Sequence, residues 1–250
     1  MVTRPIIAFL CFCVFPLSVW PAGSSLPLMD ADVNLSDKPS LQRGAKLFVN
    51  YCLSCHSAKF MRYNRVAQDL GIDDELMKNN LMFATKKSGE TMTVSLRSED
   101  AAKWFGKAPP DLSVTARSRG PDWIYTFLMG FYEDNSPGRP FGVNNIVLDG
   151  TAMPAVLQGL QGVQMLAPPT YGDHGTGHGT SLPELSLKSE GTMNPGQYRK
   201  AVRDLVSFLT YVGEPAKLVR YDIGTWVLLF LVGFFFLTRA LKKEYWKDIH

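Results

Sequence analysis

Cysteine and histidine are scarce in this chain, four of each among 250 residues. Two of the cysteines, Cys11 and Cys13, sit in an apolar leader, so the body keeps a single pair and has no disulfide framework. The same scarcity counts against a zinc centre, because two further ligands at short spacing are missing. Strong charge of either sign is absent too. The formal net charge of +3 comes from 26 Lys+Arg against 23 Asp+Glu, and the excess lies at the two ends. Arg4 stands in the leader, and Arg239, Lys242, Lys243 and Lys247 face only Glu244 and Asp248 near the C-terminus. The body is therefore neutral, without the electrostatic footprint of a nucleic-acid binder. Internal repeats are not visible and strand signals are weak.

Two long apolar runs are present, one at each end. After Arg4 a charge-free stretch runs from Pro5 to Ala22 with Ile6, Ile7, Phe9, Leu10, Val14 and Phe15. A charged start and a short apolar core read as a secretory signal peptide over 1–22, with cleavage expected between Ala22 and Ser25. The second run, Ile223 to Thr238, is also free of charge. As a helix it rises about 24 Å, slightly short of the roughly 30 Å hydrocarbon core. Tyr221 on one side and Arg239, Lys242 and Lys243 on the other can snorkel to make up the difference. The expected organisation is a periplasmic body over 23–215, a transmembrane anchor over 216–240 and a cytoplasmic tail over 241–250. The cations after the anchor place that tail inside by the positive-inside rule.

The pair of cysteines left in the body forms Cys52-Leu53-Ser54-Cys55-His56. Cys-x-x-Cys-His is the attachment pattern of a c-type haem. Two thiols three positions apart can each add to a vinyl group on one side of the porphyrin, and the adjacent histidine then lies beneath the iron. A thioredoxin-like reading needs a βαβ setting, and none surrounds this motif.

The helical signals flank that motif. Leu41, Ala45, Phe48, Val49 and Cys52 make one apolar stripe from Ser40, a plausible N-cap, into the haem site. A second helical region is expected over 111–132, with Trp123, Ile124, Phe127, Leu128 and Phe131 on one face. The third begins with Asn194 as N-cap and Pro195 at the first turn, and Gly213 and Pro215 end it. Long Gly- and Pro-rich segments, 133–145 and 166–195, read as irregular. The fold class is mainly α: a cytochrome c-type haem domain with long loops plus one C-terminal transmembrane helix.

A closed electron-transfer haem needs a second axial ligand. His174 and His178 lie in Tyr171-Gly-Asp-His-Gly-Thr-Gly-His-Gly179, too glycine-rich to hold a ligand in place, and that loop reads as an exposed linker. Met153 is favoured, because Pro154 stiffens the chain beside a weak thioether donor, with Met165 as the alternative. His/Met ligation raises the reduction potential.

An ordered set of motifs over 40–240 resembles the cytochrome c1 subunit of the bacterial ubiquinol–cytochrome c reductase (cytochrome bc1) complex. It comprises Arg43-Gly44, Cys52 to His56 with Ser57-Ala-Lys-Phe60, Ala108-Pro-Pro-Asp-Leu-Ser113, Arg117 and Arg119, Arg139-Pro140, Asn144-Asn145, Met153-Pro154 and one C-terminal span. The resemblance implies thioether links at Cys52 and Cys55 and axial ligation by His56 and Met153. It implies that Pro109 and Pro110 line the proximal side, where a carbonyl accepts the Nδ1–H of His56, and that Arg119 pairs with a haem propionate. Trp123 stands where the family often has another aromatic residue. The cysteine pair that forms a disulfide in some bacterial members is missing here, and the 155–170 region departs from the mitochondrial pattern.

The expected function is one-electron transfer from a Rieske iron–sulfur centre to a cytochrome c, in an assembly with cytochrome b and membrane lipid. The isolated chain would be a carrier rather than an enzyme. The alternative is a membrane-anchored c-type cytochrome subunit of another dehydrogenase or oxidase. A peroxidase-like haem enzyme would need a distal acid–base pair, which the sequence does not offer.

Overall fold

The computed structural model describes residues 27–94, 96–167 and 182–248. The leader over 1–22 and the loop bearing His174 and His178 lie outside the described residues. The first described segment is extended and is anchored by side chains from a later helix. Met29 N–H donates to Thr126 Oγ1 at 2.8 Å, and Ala31 N–H donates to Asp122 Oδ1 at 2.9 Å.

Helix α1 (Lys38–Leu47) starts three residues before the expected position. Its N-cap is Asp37 rather than Ser40: the Asp37 carboxylate accepts the Ser40 N–H at 3.1 Å. Aspartate followed by Lys-Pro is the stronger start signal, since proline is tolerated in the first turn. Ser40 instead turns inward and donates its hydroxyl to Asp204 at 2.5 Å. From Phe48 to Cys52 the helix widens into a single π turn, in which Leu53 N–H reaches the Phe48 carbonyl at 2.9 Å.

Strand β1 (Ala58–Arg62) leads into α2 (Tyr63–Leu70) and α3 (Asp74–Asn80), then β2 (Thr91–Met92), which pairs antiparallel with β1. Helix α4 (Ser98–Phe105) follows. The region expected as one helix over 111–132 is two, α5 (Thr115–Arg119) and α6 (Pro121–Met129). Gly120 between them has φ +87° and ψ 153°, which ends α5, and Pro121 then opens α6. Phe131 and Tyr132 belong to β3 (Phe131–Glu133), which pairs antiparallel with β4 (Val143–Asn145). After the short helix α7 (Gln158–Gln161) comes a third hairpin, β5 (Gly162–Leu166) with β6 (Leu185–Glu190). Strands of two to six residues are thus set into segments that read as irregular; an alternation so short gives no usable period.

Helix α8 (Pro195–Gly213) matches its expected bounds and carries a full capping box, with Asn194 and Gln197 exchanging side-chain and backbone hydrogen bonds. It is the backbone of the core. Its Leu205, Phe208, Leu209 and Val212 meet Leu41, Ala45 and Phe48 in one apolar cluster, and the rings of Phe48 and Phe208 lie 5.6 Å apart. Gly44 lets α1 approach closely, and Asp204 joins the two helices by accepting Arg43 Nε at 2.6 Å and Nη2 at 3.0 Å.

Helix α9 (Lys217–Tyr245) is longer than the apolar run alone suggested. Within its candidate span Ile223–Tyr245 the most apolar 18-residue stretch has a mean hydropathy of 1.9, and none of that stretch is buried in the protein. Its charge-free part, Ile223 to Thr238, rises about 24 Å, and Arg239, Lys242 and Lys243 beyond it can snorkel to complete the roughly 30 Å hydrocarbon core. A helix with such a charge-free run, unburied by the rest of the protein, fits a single-pass membrane protein.

Candidate haem-binding site

The π turn delivers the first cysteine. Cys52 ends that turn and is buried, while Cys55 is half-buried; both thiols are free. Cys55 N–H and His56 N–H both donate to the Cys52 carbonyl, at 3.0 and 2.8 Å, so the chain folds back tightly and presents both sulfurs and the imidazole together. Burial, and to a smaller extent the neighbouring Cys55, pushes the Cys52 thiol up to about 12. It stays a neutral thiol in the unmodified chain.

The imidazole is oriented by a segment far away in sequence. His56 Nδ1 lies 2.7 Å from the Pro110 carbonyl oxygen. A carbonyl only accepts, so Nδ1 carries the proton and the Nε2 lone pair is left for a metal. Burial lowers the His56 pKa, against the Pro110 carbonyl and the charge of Asp111, which favours the neutral form a metal requires. The 110–113 segment is itself stitched to β1. Leu112 N–H donates to Ser57 O at 2.8 Å, Lys59 N–H to Asp111 Oδ2 at 3.0 Å, and Phe60 N–H to the buried Ser113 hydroxyl at 3.1 Å.

Arg119 ends α5 and is exposed, with its guanidinium 5.1 Å from the centre of the Trp123 ring. Trp123 in turn stacks on Phe127 at 5.1 Å, and Phe127 meets Phe131 edge-on at 5.0 Å. Met153 is half-buried against the core, three residues after Gly150, whose φ is +68°. Met165, the alternative, lies in β5 with 41% of its surface exposed.

The Cytochrome C1 family profile matches residues 30–164, a span that holds all six of these site residues. The chain is 46% identical over 237 residues to a cytochrome c1 of Allochromatium vinosum, covering 94% of this chain and 95% of the relative. It belongs to the cytochrome c1 family. It is also 45% identical to a protein named ammonia monooxygenase gamma subunit from Nitrosomonas europaea, over 94% of each chain. A cytochrome c1 of Rhodospirillum rubrum is 30% identical, over 85% of this chain and 83% of its own.

Cytochromes c1 are electron carriers of the respiratory bc1 complex and hold one covalently bound c-type haem. The donor set fits that group: two free thiols within four residues precede an imidazole whose Nδ1 is held by the Pro110 carbonyl, leaving Nε2 for a metal.

A polar cluster beside the Met153 loop escaped the sequence analysis except as motif letters. Arg139 spans Asp134 and Asp149, with Nε at 2.8 Å and Nη2 at 2.9 Å, and Asn144 donates to both carboxylates. An adjacent Asn-Asn pair near an Arg and two Asp was the available signal, but nothing local says they converge. Hydrogen bonds from Ser136, then from Asn144, together with the charge of Arg139, hold the Asp134 carboxyl down at about 2. A depressed pKa adds stability that is complete above the ordinary carboxylate value of about 3.9 and is lost as pH falls through the folded value. The thermal midpoint of the wild type should therefore converge on that of Asp134→Asn between pH 4 and pH 2, followed by circular dichroism. A gap that stays constant down to pH 2 would contradict this.

Proposed function

We propose that this chain is the one-electron relay on the outer face of the membrane, taking electrons from a Rieske iron–sulfur centre and passing them to a cytochrome c. The contact between His56 Nδ1 and the Pro110 carbonyl, next to two free thiols, carries the reading. Bound haem supplies reversible one-electron exchange at its iron. Cys52 and Cys55 tether the porphyrin, His56 Nε2 is the proximal ligand, and Met153 is the sixth. The exposure of Met165 on a hairpin favours Met153. Arg119, stacked on Trp123, keeps its remaining N–H groups for a propionate. Pro110 fixes the histidine tautomer.

In this reading residues 1–22 are a signal peptide and 23–215 form the periplasmic haem domain. Residues 216–240 span the membrane and 241–250 stay in the cytoplasm, in keeping with Arg239, Lys242, Lys243 and Lys247. Cytochrome b and lipid cover α9, and the assembly is dimeric.

Purification of the solubilised complex tests the partners. A Rieske protein and a b-type cytochrome in stoichiometric amounts support the bc1 reading. The name of the Nitrosomonas relative favours a second reading, a cytochrome subunit of a monooxygenase assembly. Membrane subunits lacking both haem b and an iron–sulfur centre would favour that one.

Covalent attachment has its own test. Denatured protein should keep peroxidase-type haem staining on a gel, and the Cys52→Ala/Cys55→Ala double variant should lose it entirely. Haem released from the wild type by acid–acetone would overturn the attachment.

A further inference from the structure

The loop that leads to Met153 is held by side chains rather than by a strand ladder. Ile146 N–H reaches the Gly130 carbonyl at 3.1 Å. Beyond it the partners change. Val147 N–H donates to Asn145 Oδ1 at 2.9 Å, Gly150 N–H to Asn144 Oδ1 at 3.0 Å, and Met153 N–H to Thr151 Oγ1 at 3.5 Å. Asn145 is itself tied to the end of α6, its Nδ2 donating to Phe127 O at 2.7 Å.

Asn144 stands at the centre and is 1% exposed. Its amide is fully used. Nδ2 donates to Asp134 Oδ2 at 3.1 Å and Asp149 Oδ1 at 2.7 Å, while Oδ1 accepts from the Asn145 and Gly150 N–H groups. Arg139 closes the outer side of the cluster through the same two carboxylates. One side chain thus fixes the loop both where it leaves β4 and where it turns at Gly150, whose positive φ aims the next three residues.

We propose that Asn144, backed by Arg139, Asp134 and Asp149, is the positioning residue that holds Met153 in the conformation in which its sulfur ligates the haem iron. The inference rests on the assignment of Met153 as sixth ligand. The physical need is plain: a thioether is a weak neutral donor, and the entropy of ordering an irregular loop opposes its binding. Hydrogen bonds that order the loop beforehand remove that opposition. Asn144 touches neither iron nor porphyrin in this role; it acts through the backbone of the loop.

The test uses the full chain in native membranes, in three variants measured beside the wild type. Asn144→Ala should keep covalent haem but lose most of the near-infrared sulfur-to-iron charge-transfer band. Its ferrous form should bind carbon monoxide several-fold more than the wild type, and the fraction of haem reduced by ascorbate should drop. Asp149→Ala alters a side chain that is 79% exposed, so folding should tolerate it, and the same three readouts should move by a smaller amount. Met153→Leu is the control for the underlying assignment. If it loses the band while both cluster variants keep wild-type spectrum and carbon monoxide binding, the positioning role is overturned, whatever happens to thermal stability. If Met153→Leu itself keeps the band, the ligand assignment fails instead. Should Asn144→Ala not accumulate, Asp149→Ala decides alone: an unchanged band and unchanged carbon monoxide binding overturn the proposal.

Discussion

Met153→Leu is expected to abolish the near-infrared charge-transfer band of the oxidised haem and to lower the reduction potential by on the order of 0.1 V. That is a fraction of the roughly 0.8 V range that axial ligands command. The direction follows from the donor: a thioether favours Fe(II), and leucine offers no lone pair. At about 59 mV per tenfold for one electron, the equilibrium with any donor shifts by roughly fifty-fold, so reduction by a Rieske centre should slow. Haem should stay attached, because Cys52 and Cys55 are untouched. Met165→Leu is the matched control. Met165 is 41% exposed in β5, and a volume-conserving swap there should leave both spectrum and potential in place. Redox titration with near-infrared spectra on both variants decides. Loss of the band in Met165→Leu alone would reassign the ligand and leave the family membership intact.

Gly44→Ala should be severely damaging for a single added methyl. A Cβ at this position would lie 2.1 Å from the Asp204 carbonyl oxygen and 2.7 Å from Phe208 Cβ, with the α8 backbone among its neighbours. Helix propensity alone would favour alanine by about 1 kcal/mol. The overlap is with backbone, which cannot swing aside, so α1 must move away from α8. Overpacking typically costs about 1–3 kcal/mol and here, against backbone, should reach the upper end, a large part of a total stability of about 5–15 kcal/mol. Separation also disturbs the carboxylate of Asp204, which takes hydrogen bonds from Ser40 and Arg43 on α1. Since α1 runs straight into the π turn bearing Cys52, haem-stained protein should fall along with the urea midpoint. Gly159→Ala is the control, as nothing lies within 4 Å of a Cβ there. Equal midpoints for the two variants would refute the close-approach argument.

Much of the molecule follows from local pattern. Cys52, Cys55 and His56 are adjacent, so their chemistry is written in five letters. Asn194, Pro195 and Gly213 bracket α8 because caps act within one turn of the helix end. The apolar run after Ile223 announces a candidate span through composition alone, and the helix continues past it to Tyr245 because Lys and Arg continue a helix as readily as Leu. Short-range signals mislead where two of them compete. Ser40 carries a cap signal, but Asp37 ahead of Lys-Pro outcompetes it, and the apolar stripe over 111–132 runs across a break at Gly120-Pro121.

Other features depend on residues that meet only when the chain is folded. The Pro110 carbonyl that selects the His56 tautomer lies 54 positions away, and Asp204 lies 161 positions from Arg43. The Arg139–Asp134–Asn144–Asp149 cluster is closer in sequence, yet a hairpin register and a positive φ at Gly150 bring it together. The sequence by itself determined the cofactor chemistry, the helix that carries the core and the anchor, because each is encoded by spacing along one segment. Only the tertiary structure decided which nitrogen of His56 is free, how closely α1 meets α8 and what holds the Met153 loop. Those depend on distances between segments, which are set by packing the whole domain at once rather than by any period in the chain.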